Sequence, residues 1–314
     1  MTRIDYSKEY YLDYSEKLSD DCFEEMLVNK LNHKVMKIGV IGNGFVGHAM
    51  TLLRPNVEVQ IWDVDPDKRE PTDLIFEDFV NTSIVIFVAV PTPMRSDGTC
   101  DLSIVESVVD QIKEINSKAH IVLRSTVTPG TSDRLEVSFM PEFLTEKNWE
   151  EDFKTCEQWI IGSRNVDTVR WVRAIFGEAY NQGKGVIENG NVIWMKPTEA
   201  EIAKYAKNCF LSTKVSFFNE IHDLCEHMGV DYEEVRNAAC DDERIGHGHS
   251  RVPGHDGKRG YGGTCFPKDM NALSSFMESV GLNPLMLKAS IERNENKDRP
   301  EQDWKSDKGR AVSD

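Results

Sequence analysis

The sequence has no apolar stretch long enough to cross a membrane. Its longest apolar run covers only residues 84–90, whereas a membrane-spanning helix needs about 20 apolar residues. The first residues are polar and acidic, without the apolar core and cleavage site of a secretory signal. We therefore expect a cytoplasmic protein that has no membrane partner.

Cysteine pairs and an excess of basic residues are also missing. The 7 cysteines are scattered without a C-x-x-C pair, which argues against a disulfide framework and a structural zinc site. The formal net charge of -16 argues against a broad nucleic-acid-binding surface but leaves room for a local basic pocket. The 314 residues are enough for two domains of ordinary size.

What the sequence does contain is a glycine-rich turn after an apolar run. Gly42, Gly44 and Gly47 form the G-x-G-x-x-G pattern of a dinucleotide-binding turn, and a helix is expected directly after it. The strand predicted at 57–62 ends at Asp63, where an acid can hold a ribose hydroxyl. The acid favours NAD over NADP, because it would repel the 2′-phosphate of NADP.

A second signal is the block 262–269, which places Cys265 between two glycines and a predicted helix start at Pro267. A thiol beside the positive end of a helix is expected to have a lowered pKa. Asp269 would lie one turn further along the same face. The block makes Cys265 a candidate nucleophile.

Strands and helices alternate from residue 36 to about 196, which predicts an α/β fold with a Rossmann-type, doubly wound and mostly parallel sheet. The strand candidates lie at 36–41, 57–62, 84–90, 120–124, 135–140 and 158–162. Ligands bind beyond the carboxyl ends of such strands, so segments 91–93, 124–126 and 141–143 should surround one cleft. Residues 1–35 are interpreted as an N-terminal extension, either loosely ordered or a docking arm.

The segment 197–295 is predicted to be a helical domain with helices at 199–228, 231–239, 267–280 and 283–295, followed by a solvated tail at 296–314. The long helix 199–228 is more apolar than an exposed helix requires. We expect it to pack against the same helix of a second subunit in a homodimer.

Two pairs of side chains spaced by four residues could carry chemistry. Lys204 and Asn208 would share one helix face and could donate to an oxyanion; a solvated lysine is the simpler alternative. Glu142 and Glu146 could position or deprotonate a water, or could form an exposed acidic turn.

The loop 244–255 contains three histidines, yet no cysteine or acid completes a recognisable metal-ligand spacing, so no metal is expected. Its flanking cations, Arg244, Lys258 and Arg259 among them, are interpreted as a fringe that binds an anionic substrate. A solvated loop is the alternative.

Taken together, these motifs resemble the UDP-glucose/GDP-mannose dehydrogenase family over about residues 36–295. The matching segments are 42–47, 90–93, 124–127, 140–144, 199–208, 217–220, 242–246 and 257–269. The resemblance implies oxidation of a nucleotide sugar, UDP-glucose before others, to the uronic acid with two NAD in succession.

The resemblance also implies roles for individual residues. Cys265 matches the nucleophile, Asp269 the acid that assists it, and Lys204 with Asn208 the oxyanion-stabilising pair. Groups around the water and sugar are matched by Thr126, Glu142 and Glu146. Arg244 matches an arginine that reaches the neighbouring subunit's substrate. Asp63 and Lys68 match the ribose-binding pair. The other cofactor-binding candidates are Gly42, Gly44, Phe45, Val46, Gly47, Pro91, Thr92 and Thr126. The other substrate-binding candidates are Phe143, Leu144, Lys258, Arg259, Tyr261, Gly262 and Gly263.

Three features differ from the family. The segment 63–91 is short, the extension 1–35 is unusual, and we expect no counterpart of the third domain that usually binds the nucleotide. Two alternatives therefore stay open: a two-electron β-hydroxyacid-type dehydrogenase that uses Lys204, and a non-catalytic NAD-binding module.

Overall fold

A computed structural model describes residues 36–313. The expected extension at 1–35 lies outside these described residues. Within them, no helix has the length and apolar content that crossing a membrane requires.

A seven-stranded sheet forms the first part of the described residues, which confirms the predicted fold class. The strands are β1 Lys37–Ile41, β2 Glu58–Trp62, β3 Val85–Val88, β4 His120–Leu123, β5 Ser138–Phe139, β6 Trp159–Gly162 and β7 Val192–Met195. Their order is β2-β1-β3-β4-β5-β6-β7. Every neighbouring pair is parallel except β5 and β6.

The central strand β3 shows why this sheet is covered on both faces. Val85 and Phe87 belong to one buried apolar cluster, and Ile86 and Val88 belong to another. Side chains alternate between the faces of a strand, so a continuous apolar run requires helices on each side.

Two strand predictions differ from the structure. The candidate at 135–140 is reduced to Ser138–Phe139, because Leu135 caps a helical turn and Glu136 has a left-handed φ of 50° that ends extended structure. The four-residue strand β7 was missed.

Among the described residues, six helices of 4 to 15 residues lie between the strands, and a helical region follows the last strand. The first six are α1 Phe45–Ala49, α2 Phe76–Thr82, α3 Ser103–Ile115, α4 Thr131–Arg134, α5 Trp149–Lys154 and α6 Val166–Tyr180. The remaining four are α7 Pro197–Met228, α8 Tyr232–Cys240, α9 Phe266–Ser279 and α10 Leu285–Arg293. Helix α7 begins with Pro197 at its first position and ends at Gly229, which has a left-handed φ of 68°.

The predicted solvated tail instead packs onto the protein. A short 3₁₀ helix forms at Asp303–Ser306, and Trp304 is 3% exposed. Two backbone hydrogen bonds join the segment to Met94, whose N–H donates to Ala311 O at 2.9 Å and whose carbonyl accepts from Ser313 N at 2.8 Å. The prediction was wrong because it followed helical periodicity, whereas a buried tryptophan and two backbone hydrogen bonds hold this segment in place.

Candidate active site

The glycine turn after β1 is shaped by close approaches of the backbone. Gly42 has a φ of 96°, and a Cβ there would lie 2.6 Å from Ala89 O. A Cβ on Gly47 would lie 1.9 Å from Gly42 O, whereas one on Gly44 would meet nothing within 4 Å. The first and third glycines are therefore required by packing, and the second leaves open space for a ligand phosphate.

Asp63 braces this turn from the end of β2. Its carboxylate accepts hydrogen bonds from the N–H groups of Asn43 at 2.8 Å and Asp65 at 2.9 Å. The Asn43 side chain in turn donates to Lys68 O at 2.8 Å. Sequence reasoning missed Asn43, which ties the predicted ribose-binding pair, Asp63 and Lys68, to the glycine turn.

The carboxyl ends of the strands border one cleft of about 410 Å³. Many of the predicted cofactor and catalytic residues meet there. Its lining is Gly44, Phe45, Val46, Lys68, Ala89, Val90, Pro91, Thr92, Arg124, Ser125, Thr126, Glu142, Glu146, Thr264, Cys265, Lys268 and Arg310. The loops after β1, β3, β4 and β5 share this cleft because parallel strands deliver their following loops to a common edge. The start of α9, more than 200 residues after the glycine turn, lines the same cleft.

Cys265 lies in this cleft directly before α9. It is partly buried and occupies the N-cap position, and the helix begins at Phe266, one residue earlier than predicted. Burial and the nearby Glu142 carboxylate raise the pKa of the Cys265 thiol, although Lys204 acts in the opposite direction. The expected lowering of its pKa was therefore wrong, because desolvation of the thiolate outweighs the helix terminus.

Lys204 is buried behind the cleft and paired with Glu142. Its ammonium donates to the Glu142 carbonyl and, at 2.9 Å, to Glu142 Oε1. Burial opposes the charge of the ammonium, but Glu142 and Asp269 raise the pKa of Lys204. An ammonium has three N–H donors, so one remains for a ligand.

A second buried group continues along α7 and α9. Asn208 Nδ2 donates to Asp269 Oδ2 at 2.7 Å, and Lys268 Nζ donates to Asp269 Oδ1 at 2.6 Å. Although burial opposes its charge, Asp269 raises the pKa of Lys268. Sequence reasoning gave Lys268 no role; its place between Cys265 and Asp269 was the available signal.

The loop after β5 supplies two further predicted catalytic groups, Glu142 and Glu146. Leu144 N donates to Glu142 Oε2 at 2.9 Å, and the Phe143 ring lies 3.8 Å from Lys207 Nζ and 5.3 Å from Lys204 Nζ. Glu146 is exposed and pairs with Arg310 at 2.8 Å. The segment that contains Arg310 therefore closes one side of the cleft.

The predicted cationic fringe is not at the cleft in this single chain. Arg244 is 89% exposed and pairs with Asp242. Lys258 binds Glu301 and Asp303, and Arg259 pairs with acids of the helical region. These acids neutralise the cations that the sequence left unpaired, so their substrate-binding roles stay predictions.

Residues 261–263 lie shortly before Cys265 and are fixed by packing and backbone conformation. Tyr261 is 4% exposed in an apolar cluster. A Cβ on Gly262 would lie 2.4 Å from Arg299 Cζ, and Gly263 has a left-handed φ of 72°. Both glycines thus have a structural reason, and their substrate contacts stay predictions.

Two family models match the chain. The NAD binding domain of the UDP-glucose/GDP-mannose dehydrogenase family matches residues 71–180, and the central domain of that family matches 198–296. The UDP-glucose 6-dehydrogenase of Rickettsia bellii is 33% identical over 306 residues, which cover 84% of this chain and 68% of that protein. The chain belongs to the UDP-glucose/GDP-mannose dehydrogenase family. The predicted resemblance and the cofactor, NAD, are confirmed by these matches.

Other members of the family are matched over less of their length. The UDP-glucose 6-dehydrogenase of Pseudomonas aeruginosa is 36% identical over 228 residues, 67% of this chain and 48% of that protein. For the Rickettsia typhi relative, 30% identical, the shares are 87% and 60%. The chain thus spans about half to two thirds of the length of these relatives.

Solved structures agree with the family fold. A UDP-glucose dehydrogenase from Pyrobaculum islandicum superposes with a TM-score of 0.71 at 28% identity, over 84% of this chain and 69% of that one. A Mycobacterium tuberculosis 3-hydroxyisobutyrate dehydrogenase superposes with a TM-score of 0.62 at 14% identity, over 82% and 92%. The latter similarity concerns the fold alone.

Proposed function

We propose that this chain oxidises the primary alcohol of a nucleotide sugar to the uronic acid, with UDP-glucose as the first candidate. The observation that supports this best is the buried group of Lys204, Asn208 and Asp269, two of whose members, Lys204 and Asp269, act electrostatically on the Cys265 thiol in the cleft. The names of the relatives support UDP-glucose over other nucleotide sugars.

NAD fits the sheet edge of the cleft. Gly44 leaves room for a pyrophosphate, and Asp63 retains unused lone pairs for ribose hydroxyls because each of its oxygens accepts one hydrogen bond. When bound, NAD accepts a hydride in each of the two oxidations. The residues of this chain bind and orient NAD and the sugar, and they move the protons.

Cys265 would capture the aldehyde that the first oxidation produces. Its S–H bond breaks, the proton leaves to solvent, and the sulfur bonds to the carbonyl carbon. The free N–H donors of Lys204 and Asn208 would stabilise the oxyanion that forms. After the second oxidation, water adds to the thioester, the uronate leaves, and the thiol is restored.

Counting the NADH formed tests this reaction against its alternatives. Each nucleotide sugar of a screen is incubated with NAD, and the product is quantified. We expect two NADH per sugar, and loss of uronate formation in Cys265→Ala. Cys225→Ala, which changes a cysteine in an apolar cluster of the helical region and not in the cleft lining, is the control and should retain activity.

The alternatives give different counts. A two-electron dehydrogenase that uses Lys204 would form one NADH per substrate and would keep its activity in Cys265→Ala. A non-catalytic module would bind NAD in calorimetry without turnover. The position of Cys265 in the cleft favours the four-electron reaction over both.

We also propose that two copies pair through α7. Phe210, Phe217 and Leu224 follow one another at seven-residue intervals and are 66%, 55% and 55% exposed, so they form one apolar stripe. Phe217→Glu should convert a dimer to a monomer in light scattering at micromolar concentration. A wild-type monomer would refute the pairing.

The cytoplasmic location also stays a prediction, supported by the scattered cysteines.

A further inference from the structure

Arg124 is a buried cation that the proposed reaction does not yet use. It follows β4, lines the cleft and is 2% exposed. Among the described residues, none of its three guanidinium nitrogens has a hydrogen-bond partner. A buried charge without a partner is costly, and burial lowers the pKa of this guanidinium while Glu142 partly opposes that effect.

The sheet places Arg124 near Glu142. Met140 N donates to Leu123 O at 2.8 Å, so the ends of β4 and β5 lie side by side. The next residues of both strands leave the sheet at the same edge, where Arg124 and Glu142 line one cleft. The Glu142 oxygens are bonded to Lys204 and Leu144, so Arg124 acts on Glu142 through space.

The buried charges around Cys265 do not balance. Arg124, Lys204 and Lys268 are cations, whereas Glu142 and Asp269 are the anions, and all five are less than 9% exposed. With a neutral thiol, the group carries one excess positive charge. A thiolate, or the oxyanion of a tetrahedral adduct, would cancel it.

We propose that Arg124 is a positioning residue that offsets the Glu142 carboxylate, so that Cys265 can lose its proton between Lys204 and Lys268. The proposal rests on the proposed nucleophilic role of Cys265. The S–H bond breaks, and the proton passes to water in the cleft. Without Arg124, Lys204 would offset only part of the field of Glu142, and the protonated thiol would be favoured.

Several elements carry charged or titratable groups near Cys265 and Arg124. Those that face Cys265 are Glu142 after β5, Lys204 of α7, Lys268 and Asp269 of α9, and Arg310 of the segment after α10. Those that face Arg124 are Glu142 and Cys156.

Alkylation of Cys265 tests the proposal without NAD or sugar. The full chain is treated with iodoacetamide from neutral pH to above the ordinary thiol range, and the Cys265 peptide is quantified by mass spectrometry. In Arg124→Met we expect the midpoint of the curve of Cys265 alkylation rate against pH to move up by about one pH unit. At pH values below that midpoint, the alkylation rate should fall about tenfold. Arg124→Lys, which keeps the charge, should restore most of the rate.

Arg134→Met is the matched control, because it removes the same charge from a surface pair with Glu106. It should leave the alkylation profile unchanged. An unchanged profile in Arg124→Met, or an equal shift in Arg134→Met, would overturn the proposal. If Arg124→Met does not fold, Glu142→Gln gives the test, since loss of the carboxylate should lower the midpoint; no change there also overturns it.

The outcome is separable from the proposed function. A shifted profile together with no oxidation of any nucleotide sugar would support the charge balance and reject the reaction. Two NADH per sugar with an unshifted profile would support the reaction and reject the role of Arg124.

Discussion

Replacing Lys204 by methionine should destabilise the protein far more than an ordinary ion pair would predict. The side chains of Lys204 and Glu142 are 3% and 6% exposed, and their charged atoms lie 2.9 Å apart. At an effective dielectric constant of about 20, that separation gives a gross attraction of about 6 kcal/mol. Desolvation cancels part of it, but removal of one partner leaves a buried carboxylate and costs about 3–5 kcal/mol.

The surface pair of Lys37 and Glu58 is the matched control. It is slightly shorter, at 2.7 Å, but the side chains are 32% and 51% exposed. Lys37→Met should therefore cost less than about 1 kcal/mol. The comparison separates the effect of burial from the effect of distance.

Urea unfolding and thermal melting measure both variants. For a domain of this size, Lys204→Met should lower the melting temperature by about 10 °C, and Lys37→Met by a few degrees at most. The double variant Lys204→Met with Glu142→Met should recover only part of the loss, because no charge of this pair then remains buried but Arg124 loses the carboxylate that faces it. If Lys204→Met costs no more than Lys37→Met, the reasoning is refuted.

Three further predictions follow from the structure. Gly44→Ala should melt like the wild type but bind NAD at least tenfold more weakly in calorimetry. Gly47→Ala should also lower the melting temperature, because its Cβ would overlap a backbone oxygen. Equal melting temperatures of the two variants would contradict this. Trp304→Ala should cost about 3–5 kcal/mol in urea unfolding and expose the following segment to proteases, and an unchanged digestion pattern would count against the anchoring role. Burial works against the shift, but bonds from Arg293 and two further cations hold the pKa of Asp223 well below its ordinary value. The contribution of Asp223 to stability is therefore present above the ordinary Asp pKa of about 4 and is lost as pH falls through the lower pKa of the folded state. Asp223→Asn should flatten the decline of melting temperature below pH 4. Parallel curves of melting temperature against pH for the variant and the wild type would refute this.

Much of the site could be predicted from local sequence patterns. The spacing of the three glycines, the continuous apolar run of β3 and the cysteine before a helix depend on neighbours in sequence, and the structure contains each feature. The four-residue spacing of Lys204 and Asn208 likewise places both on one buried face of α7. Such features can be predicted because backbone geometry fixes them.

Features that depend on tertiary contacts could not be predicted. Lys258 and Arg259 looked like free cations, yet acids from other segments neutralise them. The helix start beside Cys265 suggested a lowered pKa, but the sequence gives no measure of desolvation in a cleft. Glu146 and Arg310 are separated by 164 residues, and no local pattern joins them.

The return of the segment after α10 has a consequence for how this protein should be divided for study. The family match ends at residue 296, but Trp304 is buried, and Arg310 and Ala311 are bonded to Glu146 and Met94 in the first half of the chain. A recombinant fragment trimmed at the match boundary would keep the cysteine, both glutamates and α7. It would nevertheless lack one wall of the cleft, so inactivity of that fragment would say nothing about the chemistry of the intact chain.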